Sequence, residues 1–258
     1  MQPGLHPVRV AIPSLPPADF LIRPMDGHSE AAVVPDRPGM ATVLLERLVV
    51  GTDGGAVDVL ALPVAVHDRL LAHLYRLEYG EDVSCQASCR ACAQPFQFRF
   101  ALPALLTSQD EDAGEAGLPS DDGCWETPSG VRLRPPVLSD AAAGAPEGLI
   151  ARIARLPVPA EEVENVAAFL EKASPILAID LDTACPGCGA AQSVAFDLAR
   201  FLVRALAGER PFLIREIHLI AARYGWSHSE IMALPRADRR AFATLIESER
   251  SASLRRVS

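Results

Sequence analysis

Two pairs of cysteines in this chain have the spacing that metal-binding turns use. Cys89 and Cys92 form the first pair, and Cys185 and Cys188 form the second. A C-x-x-C turn directs both sulfurs to one side, so two such turns facing each other can close a tetrahedral shell of four thiolates. A closed shell has no open position for water, and its metal stabilises the fold without catalysing a reaction. The sequence therefore predicts one structural zinc ion (Zn²⁺) held by Cys89, Cys92, Cys185 and Cys188.

Other interpretations of the cysteines remain open. A single C-x-x-C can be a redox pair, but such a pair normally opens a helix within a βαβ unit, whereas strand-like sequence follows each pair here. The thiols could also be simply buried. Cys85 lies four residues before Cys89 and could replace it as a ligand. Cys124, beside Trp125, is expected to be a small packed side chain.

The two cysteine pairs belong to a repeated local pattern. In both copies seven residues separate the second cysteine from a phenylalanine, and a leucine follows two positions later. These residues are Phe100 and Leu102 in the first copy, and Phe196 and Leu198 in the second. The segment 96–100 alternates apolar and polar side chains, which is typical of a strand. We therefore expect a duplicated unit in which a cysteine knuckle leads into a strand.

No spacing typical of an active site is present elsewhere in the sequence. The six histidines do not form H-E-x-x-H or another paired-ligand spacing, and His218 lies within a predicted helix, where a packed role is commoner than catalysis. The chain also lacks a G-x-S-x-G, a P-loop and a G-x-G-x-x-G motif. The sequence therefore predicts a protein that is not an enzyme.

Composition and charge narrow the class of function. The chain has 258 residues and a formal net charge of −9, which disfavours general binding to nucleic acid or anionic membranes. No segment reaches the roughly 18 uncharged apolar residues of a membrane span. Prolines interrupt the N-terminal stretch where a signal peptide would need an apolar run. We expect a cytoplasmic protein, and in that reducing compartment paired cysteines favour metal ligation over disulfides.

Patterns along the chain predict an α+β fold, with a zinc-ribbon-like pair of hairpins, a mainly helical remainder and a C-terminal helical tail. Residues 1–38 are rich in proline and are expected to form a weakly ordered arm. Residues 39–208 are expected to form the zinc-stapled α+β domain, with the acidic stretch 108–123 as a solvated loop. Residues 209–258 are expected to form a helical docking segment.

The C-terminal segment carries local signals for helix ends and for an interface. Gly225 is placed as a left-handed helix cap, and Ser227 with Glu230 fits a capping box. A helix, a turn, a second helix and then arginines suggest a DNA-binding helix-turn-helix, but the second helix carries Glu230 and ends at Pro235. A protein-docking surface fits better, with the partner-binding candidates Tyr224, Trp226, Ile231, Arg239 and Arg240.

These same residues resemble a known family. The stretches 216–227 and 230–235, with the following Arg239-Arg240, are similar to the tail of baseplate proteins from phages with contractile tails and from related contractile injection systems. That family includes the baseplate hub assembly chaperones of T-even-like phages. The helix end at Tyr79-Gly80, the two cysteine pairs and the segment 132–140 extend the resemblance over about residues 60–246. The first pair departs from the Cys-Pro-x-Cys of similar proteins, because Arg90 stands in place of the proline.

The resemblance implies a non-enzymatic role. The chain would help to assemble the hub or wedge of a contractile baseplate as a chaperone, or it would remain in the finished particle as a minor component. Its partners would be hub or wedge proteins, not nucleic acid or a membrane. The alternative is a zinc-ribbon regulator that binds nucleic acid, and a third hypothesis is a thiol oxidoreductase.

Overall fold

Helices and small antiparallel sheets make up the chain in the computed structural model, which describes residues 4–143 and 146–255. The predicted α+β class is confirmed. The chain divides into two compact units. One unit comprises the described parts of 1–7, 21–55 and 200–258, and the other comprises 8–20 and the described parts of 56–199. None of the helices in these ranges is long and apolar enough to cross a membrane.

The elements follow one another in short pieces. The strands are β1 (His6–Val10), β2 (Ala18–Ile22), β3 (Val49–Gly51), β4 (Asp82–Ser88), β5 (Pro95–Ala101), β6 (Trp125–Glu126), β7 (Arg132–Leu133), β8 (Ala178–Ala184) and β9 (Ala191–Asp197). The α-helices are α1 (Gly27–Ala31), α2 (Met40–Leu48), α3 (Val64–Tyr79), α4 (Leu102–Ala116), α5 (Pro146–Ile153), α6 (Val163–Ala173), α7 (Leu198–Gly208), α8 (Arg210–Tyr224), α9 (His228–Met232) and α10 (Arg236–Arg255). Short 3-10 turns cover Val59–Ala61, Leu138–Ala143 and Ala160–Glu162.

The prediction of a weakly ordered arm over residues 1–38 is wrong for the described part of that range. Strands β1 and β2 form a three-stranded sheet with β3, in the order β1-β2-β3, and α1 follows. Val10, Ile22 and Met25 are buried. The prolines do not prevent this order, because β1 is an edge strand, where the missing amide of Pro7 is tolerated. Residues 1–3 of the predicted arm, and 256–258 of the predicted tail, lie outside the described residues.

The acidic stretch 108–123 is also not the predicted loop, because α4 runs through most of it and ends at Ala116. Pro103 sits in the first turn of α4, where proline suits a helix start, and Ala113 is buried. The carboxylate of Asp110 accepts a hydrogen bond of 2.6 Å from buried Arg69. Asp110, Glu111, Asp112 and Glu115 thus lie on a packed helix, whereas Asp121 and Asp122 lie in the irregular segment that begins at Gly117.

The two cysteine regions have matching backbones. Seven residues of β4 pair antiparallel with seven of β5, and seven of β8 pair in the same way with seven of β9. Each hairpin leads directly into a helix, α4 from Leu102 and α7 from Leu198. The first amide of each helix donates back to the residue before its hairpin, from Leu102 to Glu81 and from Leu198 to Leu177, at 2.9 Å in both. The structure therefore contains the duplicated unit that the sequence pattern predicted.

The division into units differs from the predicted boundary at 208. Residues 21–55 belong with the C-terminal helices, because the Arg236 amide donates to the Met25 carbonyl at 2.7 Å and Arg239 pairs with Glu30 on α1. The buried cluster of this unit lies on α8, α9 and α10 and consists of Leu219, Ile220, Ile231, Ala243 and Ile246. The C-terminal helices thus form the core of a unit and are not a separate tail.

Candidate metal centre

Each cysteine pair lies in the turn between the two strands of its hairpin. In the first turn the Cys89 amide donates to the Gln94 carbonyl at 2.9 Å, and the Ala93 amide donates to the Cys89 carbonyl at 2.9 Å. The second turn has the same two bonds at equivalent positions, at 2.9 and 2.8 Å. Both turns include a residue in the left-handed region, Ala93 with φ of 58° and Gly189 with φ of 74°. The two turns therefore present their sulfurs in the same way.

The four sulfurs converge on one point. All four Sγ atoms lie within 4.8 Å of one another, and the contacts between hairpins are Cys89 to Cys188 at 3.6 Å and Cys92 to Cys185 at 3.9 Å. A tetrahedral zinc with bonds of about 2.3 Å requires sulfurs about 3.8 Å apart. A disulfide would require about 2.05 Å, and the thiols are free. The four cysteines are close enough together to hold a metal ion.

Cys85 is not part of this group. It lies within β4, opposite Phe98, and is buried with its pKa raised by desolvation. Cys124 is fully buried, and its sulfur accepts a hydrogen bond of 3.1 Å from the Arg155 guanidinium. Cys124 is therefore the packed side chain that the sequence predicted, and neither cysteine joins the four-sulfur cluster.

The cluster has a buried side and an open side. Cys89 and Cys185 are each 2% exposed and pack with Phe96, whereas Cys92 is half-buried and Cys188 is exposed. Behind the knuckles, Phe100 and Phe196 pack edge to face, with ring centroids 5.1 Å apart. An ion held by the four sulfurs would thus be shielded from solvent by one hairpin face and approachable from the Cys188 side.

Two of the four thiols, Cys89 and Cys188, have pKa values shifted in opposite directions. The Cys92 amide, helped by the Ala91 amide, lowers the pKa of the Cys89 thiol to about 6, against the opposing effect of desolvation. The Ala190 amide lowers the pKa of Cys188, but the three neighbouring sulfurs and desolvation outweigh it and raise that pKa to about 12. One thiolate therefore forms easily, and its charge opposes ionisation of the next, which is the imbalance that a bound cation relieves.

The candidate partner-binding residues lie in different environments. Tyr224 is 37% exposed and Trp226 is half-buried, and their ring centroids are 5.3 Å apart. Phe242 completes an aromatic cluster, with its centroid 5.2 Å from that of Trp226 and 5.8 Å from that of Tyr224. Sequence reasoning missed Phe242, although its position on the last helix could have indicated a contact with the aromatic residues near Gly225.

Two of the five candidates are not at the surface. Ile231 is fully buried in the helical cluster, and Arg239 is also fully buried. The Arg239 guanidinium pairs with Glu30 on α1 and with Glu216 on α8, the latter at 2.8 Å. Arg240 is exposed and pairs with Glu209. The assignment of Ile231 and Arg239 as partner-binding residues is therefore corrected, because their side chains are used within the fold.

One uncharged side chain links the two hairpins beside the cysteines. The Oε1 atom of Gln192, on β9, accepts a hydrogen bond of 3.0 Å from the backbone amide of Arg90, within the first knuckle. Its Nε2 atom donates to the Ala191 carbonyl at 2.9 Å, and the side chain is buried. Sequence reasoning missed this residue, because nothing in the spacing alone indicates that β9 contacts the other knuckle.

The arrangement can act chemically as a metal clasp. Four thiols are soft ligands suited to Zn²⁺, Cu⁺ or iron, and the near-tetrahedral spacing favours the first and last of these. Among the residues that the structure describes, no second group of three or more histidine, cysteine or acidic side chains converges in this way. Comparison with protein-family models, with curated proteins and with solved structures finds no match to this chain.

Proposed function

We propose that this chain is a non-enzymatic assembly factor, or a minor component, of the baseplate of a contractile phage tail or contractile injection system, and that it folds around a structural zinc ion. The observation that carries the zinc assignment is the spacing of the four sulfurs, 3.6 and 3.9 Å between hairpins. Four protein ligands leave no coordination position for substrate or water, so the ion would hold the hairpins together and would not catalyse.

The baseplate role is supported by the resemblance of the segment 216–240 and of the preceding motifs to baseplate proteins. Several residues of that segment stabilise the fold, since Glu216 and Arg239 form a buried ion pair and Ile231 lies in the core. The surface that remains for docking is the aromatic cluster, with Tyr224 the most exposed of the two ring residues proposed as contacts. We therefore assign partner binding to Tyr224 and Trp226, and to Arg240 as an exposed charged residue on α10.

The zinc assignment is tested by elemental analysis of chain purified without added metal or chelator. We expect one zinc per chain, with the ion retained through gel filtration. A metal-free protein that contains a reducible disulfide would instead support the oxidoreductase hypothesis. Iron in place of zinc would refute the assignment of the metal while leaving the ligand set intact.

The baseplate role is tested by co-expression of the tagged chain with the tube, spike and baseplate proteins of a contractile system from the same genome. Trp226→Ala and Tyr224→Ala should each abolish co-purification with a hub or wedge protein while leaving zinc content unchanged. Leu156→Ala, which alters a side chain that is 78% exposed in the other unit, is the matched control and should co-purify normally. Unchanged co-purification of both aromatic variants would refute docking through this cluster.

A chaperone and a retained component differ in where the chain ends up. Mass spectrometry of purified particles should find the chain if it is a component and should not find it if it is a chaperone. The nucleic-acid alternative has less support from the basic residues, because Arg239 is buried and Arg240 is paired with Glu209. Salt-dependent binding to DNA at low ionic strength would nevertheless revive that alternative.

A further inference from the structure

The two knuckles differ at the residue that follows their first cysteine. The second knuckle has Pro186 there, which carries no backbone amide hydrogen. The first knuckle has Arg90 at the equivalent position, so its turn contains one extra donor beside the sulfurs. The Arg90 residue is exposed, but its backbone amide faces the other hairpin, where it can be paired by a protein acceptor instead of water.

The two hairpins also differ at the second residue of their outgoing strands. The first hairpin has Phe96 there, and the second has Gln192 at the equivalent position. Phe96 is buried against the cysteines and has no acceptor, whereas Gln192 is buried and accepts from the Arg90 amide at 3.0 Å. The first knuckle, which has the extra amide of Arg90, thus contacts the strand of the second hairpin that carries Gln192. That second hairpin is the one whose own knuckle contains Pro186.

We infer that Gln192 is a positioning residue for the metal centre, and that it compensates for the absence of proline at position 90. Proline fixes its own backbone angle, so Pro186 holds the second turn rigid without help. Arg90 has no such restriction, and the hydrogen bond from its amide to Gln192 holds the first turn in the orientation that directs Cys89 and Cys92 at the other pair. This inference rests on the proposed zinc site.

The inference is tested by measuring the zinc affinity of single and double variants at positions 90 and 192 with a competing chelator. Gln192→Met removes the acceptor and keeps a side chain of similar length. Arg90→Ala and Arg90→Pro both remove the guanidinium, but only the second removes the amide hydrogen. Removing an outer-shell partner typically weakens metal binding by about 10- to 100-fold, and we expect that loss for Gln192→Met in the wild-type and Arg90→Ala backgrounds. In the Arg90→Pro background we expect a loss of at most about threefold, because no hydrogen bond remains to be broken.

Equal losses in the Arg90→Ala and Arg90→Pro backgrounds would overturn the inference, since they would show that Gln192 acts by packing. The Co²⁺-loaded variants should keep the sulfur-to-metal absorption of wild type, which shows that the ligand set is unchanged. A wild-type chain that binds no zinc would refute the proposed metal and, with it, the positioning of an ion by Gln192, but the role of Gln192 in holding the Arg90 turn can still be tested separately. In that case exchange of the Arg90 amide is the deciding measurement: it should accelerate about tenfold in Gln192→Met, and unchanged exchange would overturn the role of Gln192.

Discussion

The four cysteines of the cluster differ in their exposure to solvent. Cys89 and Cys185 are buried, whereas Cys188 is exposed. The two buried cysteines also pack with Phe96 and make hydrogen bonds within their turns, so protein contacts contribute to their positions. The exposed ligand is the position from which a chelator or an oxidant would first approach. Two features at the residue scale can be tested by single substitutions. One is the set of four cysteines proposed as metal ligands, and the other is the contribution of the Asp140 carboxylate to stability.

Substitution of a single ligand should abolish stable metal binding. Cys92→Ser replaces a soft thiolate by a hydroxyl, which is a poor zinc ligand, so the purified variant should contain little metal. Cys85→Ala is the matched control, because Cys85 lies outside the four-sulfur group, and it should keep one zinc per chain. Elemental analysis distinguishes the two. Loss of zinc in Cys85→Ala with retention in Cys92→Ser would reassign the site.

Asp140 should make folding stability depend on pH. Its carboxylate is 4% exposed and accepts bonds of 2.7 and 2.8 Å from Arg134, which hold the pKa of Asp140 below its ordinary value. Because the folded-state pKa is depressed, the stabilisation is present above the unfolded pKa of about 3.9 and is lost as the pH falls through the folded pKa. Asp140→Asn should lower the free energy of unfolding by about 2 kcal/mol at neutral pH, because it weakens charge-assisted hydrogen bonds to Arg134, which keeps partial access to water.

The difference between wild type and Asp140→Asn should shrink in acid, which urea unfolding at several pH values will measure. Glu115→Gln is the control, because Glu115 forms an exposed pair with Lys172, and its removal should change stability little at any pH. A difference for Asp140→Asn that stays constant down to pH 2 would show that the ionised carboxylate is not the source of the stabilisation.

At the scale of elements, the duplicated hairpins position the four cysteines, and buried ion pairs hold α10 against α1 and α8. The hairpins share register, turn hydrogen bonds and the following helix start, so they can be compared position by position. One difference is the left-handed residue of each turn, which is Ala93 in the first and Gly189 in the second. A left-handed backbone costs a non-glycine residue about 1–2 kcal/mol, so the first turn is strained at a position where the second is not.

Exchanging these residues should therefore have opposite effects. Gly189→Ala should lower the free energy of unfolding by about 1 kcal/mol, and the cause would be the backbone alone, since no atom lies within 4 Å of the added methyl. Ala93→Gly should raise it by about 0.5 kcal/mol, because relief of strain exceeds the extra entropy of an unfolded glycine. Denaturant unfolding of zinc-loaded protein measures both. A destabilising Ala93→Gly would show that the strain is absent.

The buried arginine on α10 should be important for the stability of its unit. Arg239→Met would leave the carboxylates of Glu30 and Glu216 without their shared partner, and breaking a buried pair typically costs about 3–5 kcal/mol. Arg240→Met alters the neighbouring exposed pair with Glu209 and should cost about 0–1 kcal/mol. Urea unfolding compares the two variants. Similar small losses would show that the buried pairs of Arg239 contribute little to the stability of this unit.

At the scale of the whole chain, the four-sulfur cluster brings together segments that are far apart in sequence. Cys89 and Cys188 are separated by 99 positions, so an ion bound there closes a long loop. The other unit has its own buried cluster on α8, α9 and α10, which includes no cysteine. The two units should therefore depend on the metal to different degrees.

Removal of the metal should loosen the hairpins selectively. With zinc chelated, we expect faster amide exchange in β4, β5, β8 and β9, while the amides of α8 and α10 keep their protection. The free energy of local opening of these strands could fall by several kcal/mol, because metal binding by such modules contributes directly to folding. Exchange followed by mass spectrometry with and without chelator measures it. A uniform loss of protection over both units would show that the chain unfolds as one cooperative body.

Several features could be predicted from the sequence because they depend on near neighbours. The C-x-x-C spacing and the alternating strand after it indicated the two hairpins, since both follow from the geometry of a few adjacent residues. The left-handed cap at Gly225 and the capping box of Ser227 with Glu230 are present as predicted, for the same reason. The α+β class followed from these local patterns together.

Other features were decided only when distant segments packed. The proline-rich N-terminal stretch forms strands because β2 pairs with β1 on one side and with β3, later in the chain, on the other. The first part of the acidic stretch lies on a helix whose Asp110 pairs with Arg69 on another helix. Arg239 resembles a surface arginine in sequence and is buried because Glu30 and Glu216 converge on it. The local spacing of the cysteines therefore predicted the candidate ligands, whereas burial and charge pairing depended on contacts across as many as 211 positions, which no local pattern encodes.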